Sequence, residues 1–409
     1  MGKFAVMIAV AGLILAGTVP AQASSTWTVD PGGGGHYLTI QAAINGAGVG
    51  DTINVLAGTY NERLNVNKSL TLLGAQTGAD PTGPGARTNP ALESVVTEAG
   101  LSTPNPDVLV EIPSGVTDVV LDGFTLLGDP TNPTADTSTV RCWDDNLAIS
   151  NNIIDGWHGV LYKGNDSLTV NQNRITVNKG GVIVQPSAAT NVTISGNTFA
   201  LGASPATDAQ GVYMTGVNGA EISENRFTGF PNAGIKGSNL TDIDVTGNTL
   251  VDNKDGVSFW GTTTFVDITK NDINLCTRYG ISIKGQDITI DCNRIANSGE
   301  RGVNIDRHVI DTERVSLEGN NISGNASSGV YASAAATATM GVTAENNWWG
   351  AADGPSGIGP GSGDAVHGNV DYDPFLTSPS PCAPPVPEPG ALGLVGLGLV
   401  GLVRRKRRS

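Results

Sequence analysis

Nine stretches of the chain repeat one short string: apolar, any residue, apolar, two spacers, Asn, any residue, apolar. The asparagines are Asn152, Asn173, Asn197, Asn225, Asn248, Asn271, Asn293, Asn320 and Asn347, separated by 21 to 28 residues. A self-similarity of this period builds a solenoid, because each repeat buries its apolar face only against its neighbours. In Val192-Thr193-Ile194-Ser195-Gly196-Asn197-Thr198-Phe199 the apolar residues lie two apart, the spacing of a strand with one face inward. Val, Ile and Thr dominate these slots, and they suit a pleated, half-buried surface. Asn falls where the chain must turn, since it tolerates left-handed dihedrals and bonds its own backbone. Coils that all turn inward at their Asn stack those side chains into a ladder, as stacked sheets do.

A second anchor keeps step with the first. Gly followed by Val or Ile recurs at Gly159, Gly181, Gly211, Gly234, Gly256, Gly280, Gly302 and Gly329, and each opens another strand, such as Gly280-Ile281-Ser282-Ile283-Lys284. Each period therefore holds at least two strands and leaves no room for a crossover helix of ten residues. Leucine-rich repeats share the Asn string, but they are Leu-dominated and carry a helix or tight turn in the remainder. Here the slots are mostly Val and Ile, and the remainder is a strand. The expected fold is all-β: a single-stranded right-handed parallel β-helix solenoid with coils about 4.8 Å apart. It forms one elongated domain over residues 24–377, with regular coils over 108–347. The 55 glycines and the low shares of aromatic (5%) and charged (15%) residues agree with strands and turns. Residues 78–107 and 129–140, rich in Pro and Thr, are expected to loop out.

Both ends read as processing signals. Residues 1–23 have a positive start at Lys3, an apolar run from Phe4 to Gly17, and small residues at Ala21-Gln22-Ala23, the layout of a secretory signal peptide. A Pro-rich linker, 378–387, leads into Val386-Pro387-Glu388-Pro389, then 14 apolar or Gly residues from Gly390 to Val403, then Arg404-Arg405-Lys406-Arg407-Arg408. Fourteen helical residues span about 21 Å, short of the roughly 30 Å hydrocarbon core, and the basic end marks the cytoplasmic side. This three-part segment, 386–409, closely resembles the PEP-CTERM sorting signal. The resemblance implies recognition by an exosortase, transient membrane anchoring, cleavage near the motif, and delivery to the cell surface or extracellular matrix of a Gram-negative bacterium.

The formal net charge is −15. Without Lys3, the five basic tail residues and Glu388, 17 basic residues face 37 acidic ones, a net of about −20. Such a surface excludes nucleic acid as a partner, because phosphate binding needs basic patches. It also disfavours polyanionic polymers unless cations bridge them. The four cysteines, Cys142, Cys276, Cys292 and Cys382, lack C-x-x-C spacing, which argues against a zinc site. Cys276 and Cys292 fall within about one coil, so their pairing as a disulfide in an oxidising compartment is an open alternative.

Near the amino terminus, Ile40-Gln41-Ala42-Ala43-Ile44 is followed by Gly50-Asp51-Thr52-Ile53, Gly58-Thr59-Tyr60-Asn61-Glu62 and Lys68-Ser69-Leu70-Thr71-Leu72-Leu73-Gly74. This run closely resembles the start of pectin methylesterases and other members of the pectate-lyase-like superfamily. It implies a right-handed β-helix, in a superfamily many of whose members act on acidic polysaccharides, and residues 37–44 read as a short amphipathic helix that would cap the first coil's edge. The Trp348-Trp349-Gly350 segment, with Asp371-Tyr372-Asp373-Pro374 beyond it, resembles the closing segment of secreted bacterial β-helix proteins. Its expected role is to cover the last coil.

Stacking aligns equivalent positions into columns. Counting from each glycine, the second and fourth residues point outward. That places Tyr213 in one outer column and Trp260, Lys284 and Asp306 in the other, the expected substrate-binding patch, with Arg278, Arg301, Arg307 and His308 near by. An aromatic ring beside charged groups suits a sugar, whose C–H face stacks while its hydroxyls bond the charges. Were the protein an enzyme, Lys284, Asp306 and Arg307 would be the catalytic candidates.

Arg141-Cys142-Trp143-Asp144-Asp145 with Asp155-Gly156-Trp157-His158-Gly159 loosely resembles polygalacturonases, for which paired carboxylates would do acid/base work. That family's Asn-x-Asp and Arg-x-Lys are missing here, and adjacent Asp on a strand point to opposite faces. The catalytic motifs of pectin methylesterases and pectate lyases are absent too. No metal site and no cofactor is expected; Asp252-Asn253-Lys254-Asp255-Gly256 is a weak calcium loop without EF-hand spacing. The expected function is carbohydrate binding or a structural role, in a monomer partnered by polysaccharide. The alternative is a polysaccharide lyase or glycoside hydrolase.

Overall fold

The computed structural model describes residues 24–385 apart from 84, 100, 102–107, 135, 187–188, 307–313 and 334–341. The signal peptide and the sorting segment from Val386 onward, together with Arg307 and His308, lie outside the described residues. Within them the chain is a solenoid of about 13 turns, nearly all parallel β, with a single α-helix. No described helix is long and apolar enough to cross a membrane.

Three strand stacks run along the solenoid. Stack A precedes each ladder Asn, as in Thr190–Ser195, Asn218–Ser223 and Thr241–Thr246. Stack B follows it, as in Thr198–Leu201, Arg226–Thr228 and Thr249–Val251. Stack C carries the recurring glycines, as in Gln210–Thr215 and Ala233–Ser238. Some long strands bend through two stacks: Ile153–Tyr162 serves B and C, and Asp255–Thr269 serves C and A. The sequence gives away two strands per coil, whereas stack B strands are often only three or four residues long, too short for alternation to show. The loops are also shorter than expected. Ser94–Thr97 already belongs to stack B and Ser138–Cys142 to stack C.

The asparagines form one continuous buried ladder. From Asn152 to Asn320, each donates its main-chain N–H and its Nδ2 to the Oδ1 of the next, at 2.8–3.1 Å, ending on Asn347. Nδ2 also donates to a carbonyl of the preceding coil, as from Asn248 to Ile222 at 2.7 Å. The left-handed residue is not the ladder Asn but the one before it. Asn151, Gln172, Glu224, Lys270, Cys292 and Asn346 have φ between 52° and 57°, and the other three coils use Gly196, Gly247 and Gly319. Bending one residue early lets the Asn side chain point into the core.

The glycines of stack C are required by space. A Cβ on Gly211 would stand 2.4 Å from Phe227 Cδ1 and 2.6 Å from the Gly234 carbonyl oxygen. The same clash with the next coil's glycine carbonyl recurs at Gly256 (2.4 Å) and Gly280 (2.6 Å). The room is taken by inward side chains of stack B, among them Phe199 and Phe227, stacked with centroids 4.6 Å apart.

At the amino end, the helix Ile40–Gly46 buries Ile40, Ala43 and Ile44. The residues carrying the pectin-methylesterase resemblance tie these first coils together. Glu62 accepts the Ile40 and Gln41 N–H groups at the helix start, and Asp51 accepts from Ser25, Gly48 and the Trp27 indole. At the other end Trp348 pairs with Asn321, and Trp349 is fully buried beside Gly329.

The disulfide joins Cys292 to Cys382, not to Cys276. Cys276 is buried in the core side of the turn between stacks B and C, while Cys292 occupies the left-handed bend before Asn293 on the other side of the coil. Cys382 arrives from the Pro-rich linker, which lies back along the solenoid. Ser380 donates its N–H to Asn321 Oδ1 at 2.7 Å, and Asn321 Nδ2 returns a bond to the Ser380 carbonyl. Reduction, or Cys382→Ser, should therefore expose residues 377–385 to protease while the ladder coils stay intact. Limited proteolysis with mass mapping, with and without reductant, checks this. Simultaneous digestion of the coils would contradict it.

Candidate functional site

The outward face of stack C is where aromatic rings and cations collect. Strand register puts Tyr213, Lys236 and Ser258 in one column and Thr215, Ser238 and Trp260 in the next. The Trp260 indole lies near-parallel to the Tyr213 ring, centroids 6.3 Å apart at 21°, and Lys236 Nζ sits 4.9 Å from the indole centre. Lys236 Nζ donates to Asn232 Oδ1 at 3.2 Å, and half-burial, the largest influence on it, lowers its pKa. Together these residues form a half-exposed aromatic shelf with a cation tucked against it. Lys236 was not a candidate from sequence. The clue was available, since it sits one coil before Trp260 in the adjacent column.

The expected column of Trp260, Lys284 and Asp306 is interrupted by a bulge. Strand pairing jumps from Phe259↔Ile283 to Thr263↔Gly285, so Trp260-Gly261-Thr262 bulges opposite Lys284. The indole lies against Lys236 and Tyr213. Lys284 and Asp306 follow the paired Ile283 and Ile305 on neighbouring coils and form no ion pair among the described residues; Arg307 lies outside them. The neighbouring arginines are occupied. Arg278 Nε donates to the buried Asp255 carboxylate at 2.8 Å, and the Arg301 guanidinium lies 3.7 Å from the Tyr331 ring centre.

The hydrolase-like cluster also disperses. Asp144 accepts the Gly115 N–H at 2.7 Å, and Asp145 accepts the Asn165 and Asp166 N–H groups, so both carboxylates fasten turns of adjacent coils. His158 is buried within the strand Ile153–Tyr162. Burial, reinforced by the Lys179 ammonium, pushes its imidazole down to about 4, so it is uncharged at neutral pH. In the Asp252–Gly256 stretch, Asn253 bonds the core backbone and Asp255 is held by Arg278, leaving few oxygens for calcium. Among the described residues no three His, Cys, Asp or Glu side chains converge as a metal site.

Residues 122–275 match the family model described as periplasmic copper-binding protein (NosD), and residues 255–348 that of the right handed beta helix region. Residues 385–408 match the PEP-CTERM protein-sorting motif. Similar solved structures include the A-module of the mannuronan C-5 epimerase AlgE4 of Azotobacter vinelandii (16% identity, 83% of this chain and 91% of that one, TM-score 0.42). Others are XylC in complex with xylose (11%, 72% and 75%, 0.49) and the catalytic unit of a GH87 alpha-1,3-glucanase from Streptomyces thermodiastaticus (14%, 88% and 70%, 0.41). No curated protein sequence matches the chain. The chain is a right-handed β-helix repeat protein bearing a PEP-CTERM sorting signal. It is exported and associated with the cell envelope, and its tail implies exosortase-dependent processing.

Proposed function

We propose that the protein is a non-catalytic carbohydrate-binding component of the cell surface or exopolysaccharide matrix of a Gram-negative bacterium. It is anchored transiently by its C-terminal segment, trimmed by an exosortase and released as a monomer. The observation that carries this reading is the Tyr213–Trp260 shelf with Lys236 beneath it. Flat rings accept the C–H faces of sugars, and a held ammonium bonds hydroxyls.

A copper site gains no support from the donors present. Between residues 122 and 275 the soft ligands are Cys142, His158 and Met214. His158 pairs opposite Ser138 on the strand that ends at Cys142, which sets His158 and Cys142 four residues, about 13 Å, apart along the strands. Met214 points into the core two coils further on. Such a set cannot close around one ion.

Binding of a polysaccharide panel by the purified protein tests the reading, with reducing ends and ultraviolet-absorbing products read in the same tubes. Trp260→Ala should weaken polymer binding about 10-fold or more, in line with the loss of about 2 kcal/mol when an aromatic anchor is truncated, and Tyr213→Ala somewhat less. New reducing ends or an unsaturated product would instead make it a hydrolase or lyase.

A further inference from the structure

We propose that Trp143 and Trp260 are the two ends of one binding track for a single uncharged glycan chain laid along the solenoid axis. This deepens the binding reading above and rests on it. Register passes from Cys142 to Tyr162, Val184 and Met214, and then from Thr215 through Ser238 to Trp260. The residue after Cys142 therefore heads the same outward column that runs through Lys163, Gln185, Thr215 and Ser238 to Trp260. The two indoles stand five rungs apart, about 24 Å. The sequence hides this because Thr139 occupies the glycine slot of that coil, so the counting that found Trp260 never reaches Trp143.

Trp143 is held at the surface with Arg141 and Lys163 beside its ring. It is 38% exposed, unusual for so large an apolar side chain in this protein. Its Nε1 donates to Glu111 Oε1 at 2.6 Å, and Lys163 Nζ lies 4.3 Å from the ring centre. Both cations beside it are neutralised: Arg141 by Glu111 and Lys163 by Asp136, each at 2.9 Å. Such ion pairs offer donors and acceptors to hydroxyls without net charge. The column between the indoles holds no carboxylate and, in Lys163, one already neutralised cation. A chain of formal charge −15 repels polyanions, and apart from Lys236 beside Trp260 the cations along this track are already paired with carboxylates. The ligand class that fits is a neutral polyol polymer, stacked at both ends and hydrogen-bonded between. A polymer long enough to reach both indoles gains from their linkage, because the second contact is made at high effective concentration.

The test compares wild type, Trp143→Ala, Trp260→Ala and the double variant by isothermal titration. The probes are hydroxyethylcellulose and galactomannan as long neutral polymers, cellotriose and mannotriose as chains too short to span the track, and alginate and polygalacturonate as polyanions. Each single variant should weaken long-polymer binding by about 10-fold or more, the linkage gain being lost, and the double variant should abolish it. The trisaccharides should bind at two sites in wild type and one in each single variant. Trp143→Phe, which keeps a ring but loses the bond to Glu111, should retain most polymer affinity, and matched thermal midpoints show that the variants are folded. Wild-type polymer affinity in Trp143→Ala, with loss in Trp260→Ala, would overturn the track and leave the binding reading standing. No loss in either would remove the binding reading itself. Binding confined to alginate and polygalacturonate, or to none of the probes, would overturn the uncharged class.

Discussion

Replacing Asn248 by Ala lowers the unfolding free energy by about 3–5 kcal/mol. Its Oδ1 accepts two buried donors, the main-chain N–H and the Nδ2 of Asn225, and its own Nδ2 serves the Ile222 and Thr246 carbonyls and Asn271 Oδ1. The substitution strands both donors without admitting water, and each unsatisfied buried group costs about 1–3 kcal/mol. Solenoid stability sums over neighbouring coils, so one broken rung weakens the interfaces on both sides. Asn248→Asp is the sharper variant. It keeps the acceptor but turns an oxygen towards three acceptors, so the folded state favours the neutral acid. A carboxyl whose folded pKa is raised leaves the variant most stable at low pH and destabilises it as pH rises. Urea unfolding should therefore place Asn248→Asp closer to wild type at pH 4 than at pH 7. Equal deficits at both values would mean that the carboxyl reaches solvent and that this rung is not sealed.

Gly211→Ala should cost about 3 kcal/mol, the upper part of the range for overpacking a core. The added carbon meets Phe227 at 2.4 Å and the Gly234 carbonyl oxygen at 2.6 Å. The ring can tilt only against its stacked partner Phe199, and the carbonyl belongs to the next coil's ladder of backbone hydrogen bonds. Both neighbours are fixed by the coil spacing itself. Gly83→Ala is the control: its nearest neighbour would be 3.9 Å away, so its unfolding midpoint should match wild type within error. If both alanines were tolerated alike, the glycine column would reflect composition rather than tight coil contact.

The repeat made the winding legible because Asn and Gly sit where covalent geometry leaves few alternatives. A buried amide that serves both neighbouring coils, and a backbone approach that leaves no room for Cβ, recur along the regular coils and so mark the period. Stack B stayed hidden because three residues such as Arg226–Thr228 are too few to alternate, and their apolar member merges with the Asn string. The left-handed bend was displaced by one residue because Asn, Gln, Glu, Lys, Cys and Gly all fill it, so no residue type flags it. The disulfide partner lay beyond reach, since Cys382 comes back across 90 residues by folding of a linker that composition alone describes as extended.

The site was half legible for a related reason. Counting from glycine gave the right columns, which is why Tyr213 and Trp260 emerged from sequence. The count assumes unbroken strands, and the bulge at Trp260-Gly261-Thr262 breaks one where it matters most. The Trp260 ring itself lies against Tyr213 and Lys236. The same assumption, that every coil opens on glycine, passed over Trp143.

Hydrogen exchange at the main-chain amides of the ladder asparagines tests the winding most directly. Each of Asn173, Asn197, Asn225, Asn248, Asn271, Asn293 and Asn320 gives its N–H to a buried Oδ1 one coil away. If the coils stack in solution, all seven amides exchange among the slowest in the protein, with the free energy of global opening, and they do so together. Exchange at the rate of exposed turns, or protection at only some of the seven, would contradict the ladder and with it the columns that bring Trp143, Lys236 and Trp260 onto one face.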